Sequence, residues 1–258
     1  MAYSVLWGTK SPGHLVFLLD QSGSMSGNNE TKVVEAVHAA ILELVNNCIS
    51  GTKVKERVYI TIIGYGNEDN VSIIKEGWAS DYARDLQTCR ENGRRIIDPV
   101  SYGGTPMDEG FRMAGDCIVK WLGDRQAAGG DVPAPIVINI TDGMPNDKES
   151  ATSEAKRLMN MSTPDGNVIV FNIHMDEYSN HEIRFPSTRA EAGESEEAKF
   201  LFDISSEMTE QFVRVAKAKG FEGVCKGSKG LVANANGDTL VRFIEFGSSV
   251  STLNMTPR

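Results

Sequence analysis

Three solid apolar runs constrain this chain more than any other feature of its 258 residues: LVFLL (Leu15–Leu19), APIVINIT (Ala134–Thr141) and NVIVFNIH (Asn167–His174). A strand with one wet face alternates apolar and polar side chains. These runs do not alternate, so each needs cover on both faces. The segments between them have helical spacing. Val33, Val37, Ile41, Leu44 and Cys48 recur along one face, with Gly51 placed where a helix would stop. Met107, Phe111, Ala114, Cys117 or Ile118, and Trp121 form a second stripe after Pro106, and Lys148 to Met159 reads as a third helix. RVYITIIGYG (Arg57–Gly66) is a further strand, and VSIIKEGW reads as an edge strand. Strands alternating with helices predict an α/β fold: a doubly wound, mostly parallel central sheet with helices on both faces.

The remaining stretches are less regular. Asp81 to Val100 is mixed and carries no firm assignment. Asp176 to Lys199 is polar, contains Pro186 and the acidic EAGESEE, and reads as an exposed loop. FLFDI reads as a short strand, Glu207 to Lys219 and Thr239 to Phe246 as helices. No repeat and no Pro- or Ser-rich linker divides the chain, so one domain over 1–258 is expected.

In sheets of this kind, ligands sit beyond the carboxyl ends of the strands. Just past the first apolar run stand Asp20, Ser22 and Ser24. Asp142 follows the second directly, and Thr105 precedes the helix that starts at Pro106. If these segments converge, two carboxylates and three hydroxyls face one point. Hard oxygen donors suit Mg²⁺ or Mn²⁺, whereas zinc prefers nitrogen and sulfur. Each residue also has a plainer role: Asp20 and the serines, or Thr105 ahead of Pro106, could cap the helices that follow, and Asp142-Gly143 could be a turn. The five together, in order, form a specific pattern.

That pattern, Asp20-Gln21-Ser22-Gly23-Ser24 followed by Thr105 and by Asp142 in TDG, resembles the metal-ion-dependent adhesion site of von Willebrand factor type A (VWA) domains. The resemblance covers nearly the whole chain. FNIHM, RFPST, FLFDISSEM and GSKGLVANANGDTLVRFIEFG are also similar to stand-alone bacterial members that accompany protein kinases, PP2C-type phosphatases and stress or conflict cassettes, such as the tellurium-resistance group. The resemblance implies a Mg²⁺ site (with Mn²⁺ or Ca²⁺ as substitutes) held by Asp20, Ser22, Ser24, Thr105 and Asp142, some through water. It implies a protein partner, such as a kinase, a phosphatase or a conflict-system component, whose Asp or Glu carboxylate completes the sphere.

Composition narrows the alternatives. A net charge of −9 opposes nucleic acid and anionic membrane surfaces. The start of the chain lacks a signal-peptide pattern, no run is long enough to span a bilayer, and the four cysteines form no metal or disulfide signature, so a cytoplasmic location is expected. The chain contains no phosphate-cradling G-x-x-x-x-G-K-[ST] and no G-x-S-x-G elbow. The leading expectation is therefore a non-enzymatic, Mg²⁺-dependent protein-binding domain with a scaffolding or regulatory role. A metal-assisted hydrolase or phosphatase on the same rim is the alternative, with His174 as its one candidate base. A domain whose metal site is vestigial is the third reading.

Overall fold

The computed structural model describes residues 3–66, 70–176, 181–235 and 237–249. Its elements run in the order β1 (Gly13–Gln21), α1 (Asn28–Cys48), β2 (Val58–Gly66), β3 (Asn70–Trp78), α2 (Ala79–Asn92), α3 (Met107–Ala128), β4 (Ile136–Thr141), α4 (Lys148–Asn160), β5 (Ile169–His174), β6 (Ile183–Arg184), α5 (Glu196–Asp203), α6 (Glu210–Ala218), β7 (Leu231–Ala233) and α7 (Gly237–Ser249). Two small antiparallel hairpins, Ile49–Ser50 with Lys53–Val54 and Ser162–Thr163 with Gly166–Asn167, decorate the ends.

The sheet has seven strands in the order β6-β7-β5-β4-β1-β2-β3. The run from β7 to β2 is parallel, and an antiparallel strand closes each edge. The solid apolar runs form the interior, as their lack of alternation requires. β1 sends Leu15, Phe17 and Leu19 into one core layer, which includes residues of α1, α6 and α7. Val16 and Leu18 enter the other, with residues of α3, α4 and α5. VSIIKEGW is the expected edge strand, with Ile73 and Ile74 exposed.

Three local expectations are corrected. FLFDI is not a strand: Phe200, Leu201 and Phe202 lie in α5. Ser195 accepts the Ala198 N–H at 3.1 Å and acidic residues fill the first turn, so capping decides an apolar run too short to show its period. The unassigned 81–100 stretch holds most of α2. Its buried face is only Ala79, Tyr82 and Leu86, a stripe thin enough to be lost among charges. The 176–199 stretch is not uniformly exposed: Phe185, Pro186, Ala192 and Ala198 are buried, and β6 pairs with β7. Residues 177–180 of that stretch lie outside the described residues. Among the described residues no helix is long and apolar enough to cross a membrane.

Candidate metal centre

Parallel pairing aligns the strand ends. Asp20 is in register with Tyr65 of β2, Leu19 with Ile140 of β4, and Thr141 with His174 of β5. The carboxyl ends of four adjacent strands thus form one rim, and the sequence-predicted acids leave the sheet there.

Four of the five candidate residues form a continuous hydrogen-bonded chain. Asp20 Oδ1 accepts the Ser22 N–H at 2.8 Å, and its Oδ2 accepts the Thr141 hydroxyl at 2.5 Å. The Ser22 and Ser24 hydroxyls are 3.0 Å apart, and Ser24 Oγ donates to Asp142 Oδ1 at 2.7 Å. Thr105 joins through its backbone. Its N–H donates to Asn146 Oδ1 at 2.8 Å, and its carbonyl accepts the Asn146 N–H at 2.9 Å, which ties it to the loop that carries Asp142. A further backbone bond, Gly23 N–H to Gly103 O at 3.0 Å, joins the serine loop to the Thr105 loop.

The plainer capping roles are not taken up. The N-cap of α1 is Gly27, that of α3 is Pro106, and neither has a side-chain cap; Ser22 heads a short 3-10 turn without capping it. The hydroxyls of the motif are therefore not used to start helices.

Burial makes the electrostatics unusual. Asp20 is 3% exposed, and desolvation pushes its carboxyl up to about 6 despite hydrogen bonds from Ser22 and Thr141. The charge of Asp142 pushes in the same direction. Asp142 is itself raised, first by burial, while bonds from Ser24 and Asn29 pull it down. No Lys or Arg appears among the main influences on either acid. A buried carboxylate and a half-buried one, bridged by hydroxyls and without a side-chain cation among their main influences, fit a divalent cation chemically. Among the described residues there is no group of three or more His, Cys, Asp or Glu placed to hold a metal.

Three supporting residues lie outside the sequence motif. Thr141 stands directly before Asp142 and grips Asp20; its place at the strand end is the one sequence signal for it. Asn146 positions Thr105 and has no sequence signature. Gly66 ends β2 at φ +123°, and a Cβ there would come within 2.4 Å of the Gln21 carbonyl carbon and 2.5 Å of the Ser22 nitrogen. Only glycine lets β2 pass this close to the Asp20 loop.

His174 also reaches the rim but is 3% exposed, and its Nδ1 is 3.1 Å from Asn234 Oδ1. Burial lowers its pKa, so it is a neutral, enclosed imidazole.

With this geometry in place, comparison with known proteins is decisive at the family level. The family model of the von Willebrand factor type A domain matches residues 14–224. The chain belongs to the von Willebrand factor type A domain family. That span contains all five candidate residues and, but for Gly13, the elements from β1 to α6; β7 and α7 lie beyond it.

Among solved structures, this VWA chain is similar to the pilus adhesin SpaC of Lactobacillus rhamnosus GG in its open conformation, with a TM-score of 0.56 and 13% identity over 95% of this chain and 30% of that one. It is similar to proximal thread matrix protein 1 from the mussel byssus, with a TM-score of 0.52 and 14% identity over 96% of this chain and 47% of that one. The manganese-loaded TRAP protein of Plasmodium vivax matches at 26% identity and a TM-score of 0.42, over 67% of this chain and 60% of that one. The chain thus spans less than two thirds of the length of each of these structures. At these identities the two higher-scoring likenesses establish the fold. No curated protein sequence matches the chain.

Proposed function

We propose that this VWA domain is a divalent-metal-dependent protein-binding module, with Mg²⁺ as the ion and without catalytic turnover of its own. Asp20, Ser22, Ser24, Thr105 and Asp142 would hold the ion, directly or through water, and an Asp or Glu of the partner would complete its sphere. The observation that carries this reading is the Asp20–Ser22–Ser24–Asp142 chain: a buried and a half-buried acid, joined by hydroxyls, with no Lys or Arg among the main influences on either within the described residues. A bound ion supplies the balancing charge. Because most of the donors are neutral, the ion keeps enough positive character to attract a further carboxylate. Two of the similar structures, a pilus adhesin and a thread matrix protein, are in keeping with a binding role.

The hydrolase alternative needs a base beside the ion. His174 is enclosed and hydrogen-bonded to Asn234, which favours the binding role over the catalytic one.

Calorimetric titration with Mg²⁺ and Mn²⁺ tests the site. One binding event in the wild type, lost in Asp20→Ala with the circular dichroism spectrum unchanged, is the expected result. Unaltered binding in that variant would remove the basis of the proposal.

A further inference from the structure

The metal reading leaves partner choice unexplained. Every protein surface offers Asp and Glu, so a carboxylate on the ion cannot by itself select one partner. Selection has to come from side chains beside the ion.

Among the described residues, seven large apolar side chains are exposed, and Tyr102, 59% exposed, is the only aromatic one. The others belong to the N-terminal segment, the Ile49 hairpin, the edge strand β3 and the outer faces of α1 and α3. Tyr102 alone sits on the loops of the metal rim. Its N–H donates to the carbonyl of Gln21, between Asp20 and Ser22, at 2.8 Å. The next carbonyl, that of Gly103, accepts the N–H of Gly23, between Ser22 and Ser24. On the other side, the Ser101 hydroxyl bonds the Glu30 carboxylate at the start of α1.

The backbone around Tyr102 is thus pinned at consecutive residues to the loop that carries the candidate ligands, while its ring remains largely in water. A tyrosine held this way gives up little conformational freedom on binding, because few torsions remain to be frozen. Exposed aromatics that become buried at the centre of a contact supply a large part of binding energy. An uncharged ring gains most from apolar surface, whereas a charged group buried against it would need a further partner.

We propose that Tyr102 is a specificity-determining residue of the metal rim, and that it packs against an apolar side chain lying within two positions of the partner's metal-bound Asp or Glu. This inference rests on the metal-dependent reading above, and its test separates the two.

A phage-displayed random decapeptide library is selected on Mn²⁺-loaded wild type, Tyr102→Ala and Tyr102→Phe, each with a parallel EDTA wash. The wild type should enrich peptides with an Asp or Glu and an aromatic or aliphatic residue within two positions, released by EDTA. Tyr102→Phe should keep that pattern. Tyr102→Ala should keep the acid and the EDTA release, lose the apolar preference, and bind the best wild-type peptide at least tenfold more weakly, with unchanged Mn²⁺ affinity by calorimetry. An apolar preference that survives in Tyr102→Ala, or a basic or unbiased neighbour to the acid in the wild type, overturns the Tyr102 assignment and leaves the metal reading standing. Enrichment without an acid, insensitivity to EDTA, or no enrichment above the EDTA control overturns the metal reading and this inference with it.

Discussion

Ser24 Oγ donates a 2.7 Å hydrogen bond to Asp142 Oδ1 across 118 residues of chain. This one contact closes the rim, joining the loop after β1 to the loop after β4. Without an ion, the Ser24 hydroxyl is one of the donors that hold the Asp142 carboxylate, with Asn29 another. With an ion bound, the same hydroxyl oxygen can turn a lone pair toward the metal.

Ser24→Ala removes this bridge and one candidate ligand while leaving both acids in place. Affinity for Mn²⁺ should fall by about tenfold or more, corresponding to the ~1.4 kcal/mol of one strong polar contact. Calorimetry at fixed pH measures it, and an unchanged dissociation constant would exclude Ser24 as a ligand.

Asp20→Asn should separate stability from binding. A carboxyl raised from 3.8 to about 6 by burial contributes stability below the unfolded value, and this is lost as the pH rises through the folded one. At pH 8, in EDTA, the buried anion therefore costs the wild type about 3 kcal/mol, at roughly 1.4 kcal/mol for each pH unit between the two values. The amide avoids that cost and still accepts the Ser22 N–H. The metal-free variant should melt higher than the metal-free wild type at pH 8, and adding Mg²⁺ should stabilise only the wild type.

At the opposite end of β1, His14 sets an acid limit. Its imidazole is fully buried, held down to about 3 by desolvation, with Nε2 3.0 Å from Thr61 Oγ1 and Nδ1 without a hydrogen-bond partner among the described residues. Below the unfolded value of 6.5 the unfolded chain takes up a proton that the folded one refuses, so stability falls with pH from about 6.5 toward 3. The slope from this residue reaches about 1.4 kcal/mol per pH unit. Urea melts of His14→Gln between pH 7 and 4.5 should show a shallower decline than those of the wild type; parallel curves would argue against the assignment.

A buried polar relay runs under the rim. The Tyr65 hydroxyl donates to Asn139 Oδ1 at 2.7 Å, Asn139 Nδ2 to Asn172 Oδ1 at 2.9 Å, and Asn172 Nδ2 to Ser205 Oγ at 2.9 Å. Tyr65→Phe removes one terminal bond and should cost about 1–2 kcal/mol. Asn172→Ala strips partners from both neighbours and opens a cavity, and should cost about 2–4 kcal/mol. Chemical denaturation of the two variants gives the comparison.

Gly66→Ala tests the close approach of β2 to the Asp20 loop. Its positive φ and the contact with Gln21 cannot both be kept with a Cβ. The variant should lose metal affinity even where circular dichroism reports a folded sheet, because the displaced loop carries Asp20 and Ser22.

The sequence by itself determined the layered α/β architecture. Solid apolar runs must be covered twice, and LVFLL, IVINI and IVFNI meet that need as interior strands between two helical layers. It also pointed to the rim for Asp20, Ser22, Ser24 and Asp142, because parallel strands deliver their trailing loops to one edge of the sheet, whereas Thr105 follows a helix and reaches the rim through tertiary contacts. The sequence left open those places where local signals were brief or absent. FLF has no readable period, so the Ser195 cap and the packing of Phe200 and Leu201 made it a helix. α2 buries too few side chains to show a stripe. Only the tertiary structure decided that Ser22, Ser24 and Thr105 leave helix capping to other residues, that Thr141 and Asn146 hold the candidate ligands Asp20 and Thr105, and that Gly66 permits the close approach of β2 to the Asp20 loop. The physical reason is range: periodicity and capping act within a few residues, whereas the rim is assembled from contacts between segments from 41 to 121 residues apart, whose distances are fixed only when the sheet closes.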